Sequence, residues 1–414
     1  MTTNPTSKKS FRGWNVLSGS FINAMLVAGA SVYSFGLFVT PVEETFGLSR
    51  EQVYLGIEAF FLSTAFWAIA TGFLLDKFSA LSLSITGGLS FGVGFALIGT
   101  AEHPWVMLMA ICGPIGFAFT AAGSFTANVL VTRWFTRMRG RALGIAAVST
   151  SAGGFLVVPV IATLLEATGW RETCIIIAVS VPAIVIIASL ATIVSKPENI
   201  GQFPDGEFIE GETFAPVDKV KSSKVNLFLD PNLWLIGIAV GLLLGSDQAI
   251  LTSLVPYGVG RGFSVQEASL LVTCVAGSAI FGKILIGWLS ERIDKRFLYL
   301  LVASLNITFL ATLLFSPGYF GLLAVAACVG LAVGGAVPIW TTLTAHCFGR
   351  ENFGRALGSM NIITVPIMLM SLWMAAKTHD LTGDFHLAFK LFIPQVLLGI
   401  IIIAFVKIKT ESAD

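Results

Sequence analysis

The chain has 414 residues, of which 55% are hydrophobic and 12% are charged, and its mean hydropathy is +0.85. Soluble domains carry about 25% charged residues, so this composition excludes an ordinary water-soluble protein. The formal net charge of +1 leaves no electrostatic footprint for nucleic acid, and we expect no nucleic-acid partner.

Taken in chain order, the apolar segments predict twelve membrane-spanning helices, each close to the length of about 20 residues that a bilayer crossing needs. These predicted spans, numbered 1 to 12, are 14–40, 51–75, 82–100, 105–131, 141–165, 172–195, 231–257, 264–289, 298–316, 319–345, 355–376 and 388–407.

A hydrophilic segment at 196–230 divides the predicted spans into two sets of six. It mixes both signs of charge with Gly and Pro, which is typical of a linker without a core of its own. The sequence therefore predicts an all-α membrane protein of two pseudo-symmetric six-helix bundles, 1–195 and 231–414, joined by the linker 196–230. We expect it to be a monomer in the lipid bilayer.

Most of the 25 Lys and Arg residues fall on one side of the predicted spans, together with both termini and the linker. The positive-inside rule places that side in the cytoplasm. We therefore expect a multi-pass protein of the cytoplasmic (inner) membrane with both termini in the cytoplasm.

The two sets of spans repeat each other at an offset of about 215 residues. Gly72 is matched by Gly287, and the pentapeptide Gly-Arg-Ala-Leu-Gly occurs at 140–144 and again at 354–358. Six spans duplicated in one orientation form a parallel repeat, the arrangement of transporters whose midplane site lies between two bundles.

Lys283 in span 8 is an ionisable residue well inside a predicted span, where such groups are costly and mark functional sites. It lies about 12 Å from the cytoplasmic end of its span. Its repeat mate is Ala68, whereas a structural residue would more readily be duplicated. We predict an anion-binding site at Lys283. The alternative is a lysine that snorkels to the cytoplasmic headgroups.

Asp247 in span 7 and Glu58 in span 2 are the other two such residues. Asp247 is predicted to carry a coupled proton, to pair with Lys283, or to make a helix–helix hydrogen bond, and the sequence leaves all three open. Glu58 is predicted near the outer end of its span, either as an outer-gate residue or as a structural carboxyl. Candidates for further hydrogen bonds to a solute in the cavity are Tyr33, Asn128, Tyr257 and Asn361.

A short motif occurs at the ends of spans 2 and 8. It consists of a glycine, three further residues, an acid and a base, and it runs from Gly72 to Lys77 and from Gly287 to Arg292. With the repeat, it makes the chain resemble the major facilitator superfamily of transporters. The resemblance implies that the two acids, Asp76 and Glu291, latch the bundles together in the outward-facing state. Arg292 belongs to the same motif, and Arg133 is either a gate residue acting with Asp76 or a positive-inside anchor.

Within the superfamily, the chain is most similar to the monocarboxylate transporters and the oxalate/formate antiporters. The similar stretches run from Tyr33 to Arg50, from Arg133 to Ala147 and from Lys283 to Gly287. In those families the position of Lys283 holds the cation that meets the substrate carboxylate. The chain departs from them at Leu37, where the animal branch has lysine, and at Ala279, where it has an acid. Residues 356–376 also lack the second cation of the oxalate branch.

We therefore expect a secondary active transporter of small organic monocarboxylates that works by alternating access with proton symport or exchange. No Cys-x-x-Cys pair, phosphate-binding loop or nucleophile constellation occurs, so we expect no metal, no cofactor and no enzymatic activity. The alternatives are a transporter of another small solute, such as a drug or a sugar derivative, and a sensor that binds without transport.

Overall fold

A computed structural model describes residues 11–48, 50–206, 227–263, 265–315 and 318–407. These residues are helical apart from short turns, and no strand occurs among them. The predicted all-α membrane fold is confirmed. The spanning helices, named α1 to α12 in chain order, are Gly13–Tyr33 with its continuation Phe35–Phe46, then Arg50–Lys77, Ala80–Gly99, Pro104–Trp134, Arg139–Thr168, Trp170–Thr192, Pro231–Gly260, Val265–Leu289, Lys295–Leu314, 319–348, 350–382 and His386–Ala404.

Helices α10 and α11 follow each other with a break of a single residue. The run Tyr319–Thr382 has 64 residues, or about 96 Å of helix, roughly three times the thickness of a hydrocarbon core. The backbone at Gly349 is not helical (φ 70°, ψ 178°), a conformation that glycine adopts without steric cost. The eleven long apolar runs of the described chain therefore contain twelve crossings. The sequence predicts a longer loop here, between 345 and 355.

Helix α4 is interrupted where the sequence predicts a continuous span. Ile111–Ile115 forms a π-helical turn around Pro114, which has no backbone N–H for the helical ladder. Trp67 donates its indole N–H to the Cys112 carbonyl (2.8 Å), and Ser90 donates its hydroxyl to the Pro114 carbonyl (2.9 Å). Side chains of α2 and α3 thus satisfy carbonyls that lipid would leave without partners.

Each half of the molecule has its own apolar core, and a third cluster joins the halves. The first core includes Val27, Phe60, Phe91 and Ile177, and the second includes Val240, Leu298, Phe309 and Phe389. The third combines Leu130 of α4 and Leu143 of α5 with Phe353 and Leu357 of α11. The chain is therefore built as two six-helix bundles that meet along a packed interface.

The two bundles approach most closely at glycines related by the internal repeat. A Cβ atom on Gly72 would lie 2.7 Å from the Gly354 carbonyl oxygen, and one on Gly287 would lie 2.7 Å from the Gly140 carbonyl oxygen. Only glycine permits such an approach of helix backbones. Both crossings lie at the end of the molecule that carries residues 196–206, which we call the linker side.

Candidate functional site

A central cavity of about 240 Å³ lies between the two bundles. Its walls come from α2, α4 and α5 of the first bundle and from α8, α10 and α11 of the second. Polar residues in the lining are Thr64, Thr120, Ser124, Asn128, Thr150, Lys283, Thr341 and Asn361, and large apolar ones are Phe119, Phe125, Val337, Trp340 and Leu357.

Lys283 reaches from α8 across the interface to α5. Its ammonium donates to the Ser151 hydroxyl at 2.6 Å and to the Thr150 hydroxyl at 3.2 Å, and the residue is 9% exposed. It forms no ion pair with a described residue. Both hydroxyls lie near the middle of α5, so the side chain is not directed toward headgroups at the linker side, as snorkelling would require. An ammonium has three donors, which leaves one for a ligand.

Asp247 does not pair with Lys283. Its Oδ1 accepts a hydrogen bond from the Asn306 side-chain amide at 2.5 Å, which joins α7 to α9. Both residues are buried, and Asp247 Oδ2 and Asn306 Oδ1 have no hydrogen-bond partner among the described residues. The structure therefore places Asp247 in a helix–helix contact, outside the residues that line the central cavity.

Of the four further polar candidates, the structure brings two to the central cavity. Asn128 and Asn361 line it from opposite bundles. Tyr257 does not, because its hydroxyl donates to the Leu313 carbonyl at 3.0 Å inside the second bundle. Tyr33 is 46% exposed and is also absent from the cavity lining.

Glu291 joins the end of α8 to the start of α5 on the linker side. One carboxylate oxygen accepts the Arg141 backbone N–H at 2.9 Å, and the other lies 2.8 Å from Arg141 Nε. The first turn of a helix presents free N–H groups and a partial positive charge, so a carboxylate is favoured there. This contact links the two bundles.

The repeat places a second acid, Asp76, in the position equivalent to Glu291, but its distance to the arginine of the other bundle is greater. Asp76, at the end of α2, lies 3.8 Å from Arg355 Nε at the start of α11. Arg133 is buried, and its guanidinium donates to the Leu75 carbonyl at 3.0 Å. Leu75 directly precedes Asp76 in the sequence. The two acids thus occupy matching places, and the Glu291 contact is the shorter one.

The rest of the motif after α8 shapes the turn rather than the interface. Arg292 stacks on the Trp288 ring, 4.0 Å from its centroid. Asp294 caps α9 by accepting the Arg296 backbone N–H at 2.8 Å. Hydrogen bonding to the Arg296 side chain lowers the pKa of the Asp294 carboxyl, which lies outside the spanning helices.

Glu58 lies in the half of α2 remote from the linker side. It is exposed and lines a second cavity, of about 810 Å³, formed mainly by apolar residues of α1 to α4. Glu58 is the one acidic or basic residue among the described lining residues. It is separate from the central cavity that contains Lys283.

Several contacts were not anticipated from the sequence. Thr150 and Ser151 hold Lys283, and the available signal was a run of three hydroxyl residues inside the apolar span 5. The start of the linker also has contacts of its own. Glu198 pairs with Arg350 at 2.8 Å, and Asp205 accepts the backbone N–H groups of the turn before α5. Most of the linker, 207–226, lies outside the described residues.

Known proteins similar to this chain are transporters. Monocarboxylate transporter 12 of Xenopus laevis is 24% identical, over 94% of this chain and 88% of that protein. The uncharacterized MFS-type transporter YcxA of Bacillus subtilis (strain 168) is 23% identical, over 94% of this chain and 92% of that protein.

Solved structures share the fold at lower identity. The transporter FucP in the outward conformation superimposes with a TM-score of 0.69 at 17% identity, covering 95% of this chain and 99% of FucP. The proton:xylose symporter XylE gives a TM-score of 0.74 at 16% identity, covering 97% of each chain. Residues 21–408 match the family model described as Major Facilitator Superfamily. This chain, with its two six-helix bundles around a central cavity, belongs to the major facilitator superfamily of membrane transporters.

Proposed function

We propose that this protein is a secondary active transporter of small organic monocarboxylates that works by alternating access. The observation that carries the proposal is the position of Lys283. Its ammonium lies in the cavity between the bundles, is almost fully buried, and has only hydroxyl partners among the described residues. A buried charge without a counter-ion is costly, and a carboxylate supplies that counter-ion.

The size of the central cavity favours a small solute. Its volume of about 240 Å³ is below the range of about 300–1,000 Å³ typical of pockets for drug-sized ligands. Drug transport is therefore the weaker alternative. The similarity to monocarboxylate transporter 12 supports the carboxylate class.

The linker side is proposed to be the cytoplasmic side, because the predicted spans place most Lys and Arg residues there. With the Glu291 and Asp76 contacts formed on that side, the described state corresponds to a closed cytoplasmic gate. An ion or solute gradient, through proton symport or exchange, is the proposed driving force.

Replacement of Lys283 by Gln tests the proposal. Losing one partner of a buried charge pair costs about 2–5 kcal/mol, so carboxylate affinity should fall by roughly 30-fold to several thousandfold. Lys283→Arg should retain part of the affinity, since the charge survives while the geometry changes. The measurement is binding of a panel of short monocarboxylates to purified protein by thermal shift and calorimetry.

The matched control is Lys390→Gln, which removes an exposed lysine of α12 and should leave binding unchanged. Wild-type affinity in a folded Lys283→Gln variant would exclude Lys283 as the carboxylate site. Uptake into proteoliposomes separates a transporter from a sensor, because a sensor binds the same carboxylates without accumulating them inside the vesicles.

A further inference from the structure

Two polar side chains of the central cavity make no hydrogen bond within the described protein. The Ser124 hydroxyl oxygen is buried and has no partner, and the Asn128 side chain has no described hydrogen bond. Native proteins satisfy nearly all buried polar groups, so the Ser124 hydroxyl calls for an explanation. A ligand in the cavity supplies one.

The other polar residues of the described lining each make at least one hydrogen bond within the protein. Thr64 and Thr341 donate to carbonyls of their own helices, and Asn361 donates to the Leu357 carbonyl. Thr120 bonds to the Thr71 hydroxyl at 2.8 Å. Ser124 and Asn128 are therefore the two polar side chains of the described lining that make no hydrogen bond, while Lys283 keeps one free N–H and Asn361 keeps its amide oxygen.

Ser124 and Asn128 act from the same surface. They are four residues apart on α4, so their side chains lie on one face, about one turn apart. The face belongs to the first bundle, whereas Lys283 belongs to the second. Lys283 Nζ bonds to Thr150 and Ser151 and to neither of these residues. The two polar regions therefore lie on walls of the cavity that come from different bundles.

The chemistry of the pair matches a hydroxyl group. A serine hydroxyl and an asparagine amide both donate and accept hydrogen bonds, and an alcohol does the same. A second carboxylate only accepts, and α4 contributes no cation to the described lining of the cavity. The aromatic side chains of Phe125 and Trp340 in the same lining suit a hydrocarbon body.

We propose that Ser124 and Asn128 form a second subsite, which binds a hydroxyl group remote from the carboxylate. The preferred substrates are then monocarboxylates that are hydroxylated at the far end. This inference rests on the proposed function, since it takes Lys283 as the site of the carboxylate.

Matched pairs of carboxylates test the subsite by competition binding. Two pairs carry the hydroxyl far from the carboxylate: butyrate with its terminally hydroxylated analogue, and benzoate with its para-hydroxy analogue. The comparison pair is propionate with lactate, in which the hydroxyl is next to the carboxylate. Leaving the polar pair unsatisfied should cost the unsubstituted member about tenfold in affinity. The lactate pair should show less than half of that ratio.

Variants of the pair should remove the preference without removing carboxylate binding. In Ser124→Ala with Asn128→Ala, the ratio for the distal pairs should fall below about threefold, while butyrate should bind as tightly as to wild type or up to about tenfold more tightly, because the unsatisfied pair is gone. Ser124→Ala alone, which deletes one oxygen, covers the case in which the double variant does not fold. The control is Ser180→Ala, an exposed serine of α6 that should keep the preference.

Three results overturn the subsite without touching the proposed function. They are a distal preference that survives in the variants, equal gains for lactate and for the distal hydroxyls, and carboxylates that bind through Lys283 with no hydroxyl preference at all. Binding of no carboxylate to wild-type protein overturns both the subsite and the proposed function.

Discussion

At the scale of single residues, Lys283 and Asp247 show how the same bundle treats two buried ionisable groups differently. Lys283 faces the other bundle and the central cavity, where a ligand can reach it. Asp247 faces α9 and is joined to Asn306 within its own bundle. Burial alone marks both residues as functional candidates, and their neighbours are the basis for proposing Lys283 as a binding group and Asp247 as a packing group.

The Asp247–Asn306 contact leads to a prediction about stability. Asp247 Oδ2 and Asn306 Oδ1 are both buried without a partner, so an amide at position 247 supplies a donor that this pair of acceptors lacks. We expect Asp247→Asn to match or exceed the wild-type melting temperature. Asp247→Leu should lose about 1–3 kcal/mol, because it leaves the Asn306 amide unsatisfied.

Thermal unfolding in detergent measures both variants, and uptake assays complete the test. If Asp247 is a packing group, Asp247→Asn keeps proton-driven accumulation. If that variant exchanges substrate normally but no longer accumulates it under an inward proton gradient, then Asp247 is the coupling group after all.

At the scale of helices, the linker side is held by two contacts that the repeat relates. Glu291 meets the first turn of α5 at 2.8 and 2.9 Å, and Asp76 lies 3.8 Å from Arg355 of α11. The proposed alternating-access mechanism requires these helix ends to separate, so each contact favours the state in which it is formed. The shorter contact, which includes a backbone N–H, should contribute more.

We predict that Glu291→Gln shifts the population toward the state open on the linker side, and that Asp76→Asn shifts it less. Both ion pairs are partly exposed, and such a pair contributes about 1 kcal/mol, so the equilibrium should move by roughly fivefold. The readout is labelling of Asn361→Cys by a membrane-impermeant maleimide, added from each side of vesicles, with the five native cysteines replaced.

The control for this measurement is Asp294→Asn. Asp294 pairs with Arg296 within the start of α9 and does not link the bundles, so its loss should leave labelling unchanged. Unchanged labelling in both Glu291→Gln and Asp76→Asn would show that these contacts do not set the gate.

At the scale of the whole molecule, the two halves of the repeat share the glycines at which their helices cross, but they differ in the charge inside the spans. Gly72 and Gly287 play the same part in the two bundles, whereas Lys283 is matched by Ala68. Among the described lining residues of the central cavity, Lys283 is the one charged side chain. This asymmetry predicts the valence of the substrate.

Monocarboxylates should outcompete dicarboxylates of similar size by about a hundredfold or more. A second carboxylate would find no second cation among the described lining residues of the cavity. An unpaired buried charge costs several kcal/mol, and each 1.4 kcal/mol lowers the affinity about tenfold. Competition between each short monocarboxylate and its dicarboxylate analogue, at a pH where both are ionised, measures the ratio. Equal or stronger inhibition by the dianions would reveal a second cation at the cavity.

Much of this architecture follows from the sequence alone, because it depends on properties local to each segment. Apolar length defines the crossings, since a bilayer solvates only about 20 such residues per helix. Gly72 and its repeat mate Gly287 mark two places where helices cross, because backbones can approach this closely only at a residue without a side chain. The isolated charge of Lys283 in span 8 is likewise visible from its apolar surroundings.

Tertiary structure decided which buried groups meet. The partners of Lys283 lie 132 and 133 residues away, and Asn306 lies 59 residues from Asp247. Such pairings depend on how each helix is rotated about its axis and on which neighbour it packs against, and a nearly uniform apolar helix encodes neither. For the same physical reason, the vacant hydrogen-bonding capacity of Ser124 and Asn128 follows from which side chains of other helices lie beside them, and only the tertiary structure determines that.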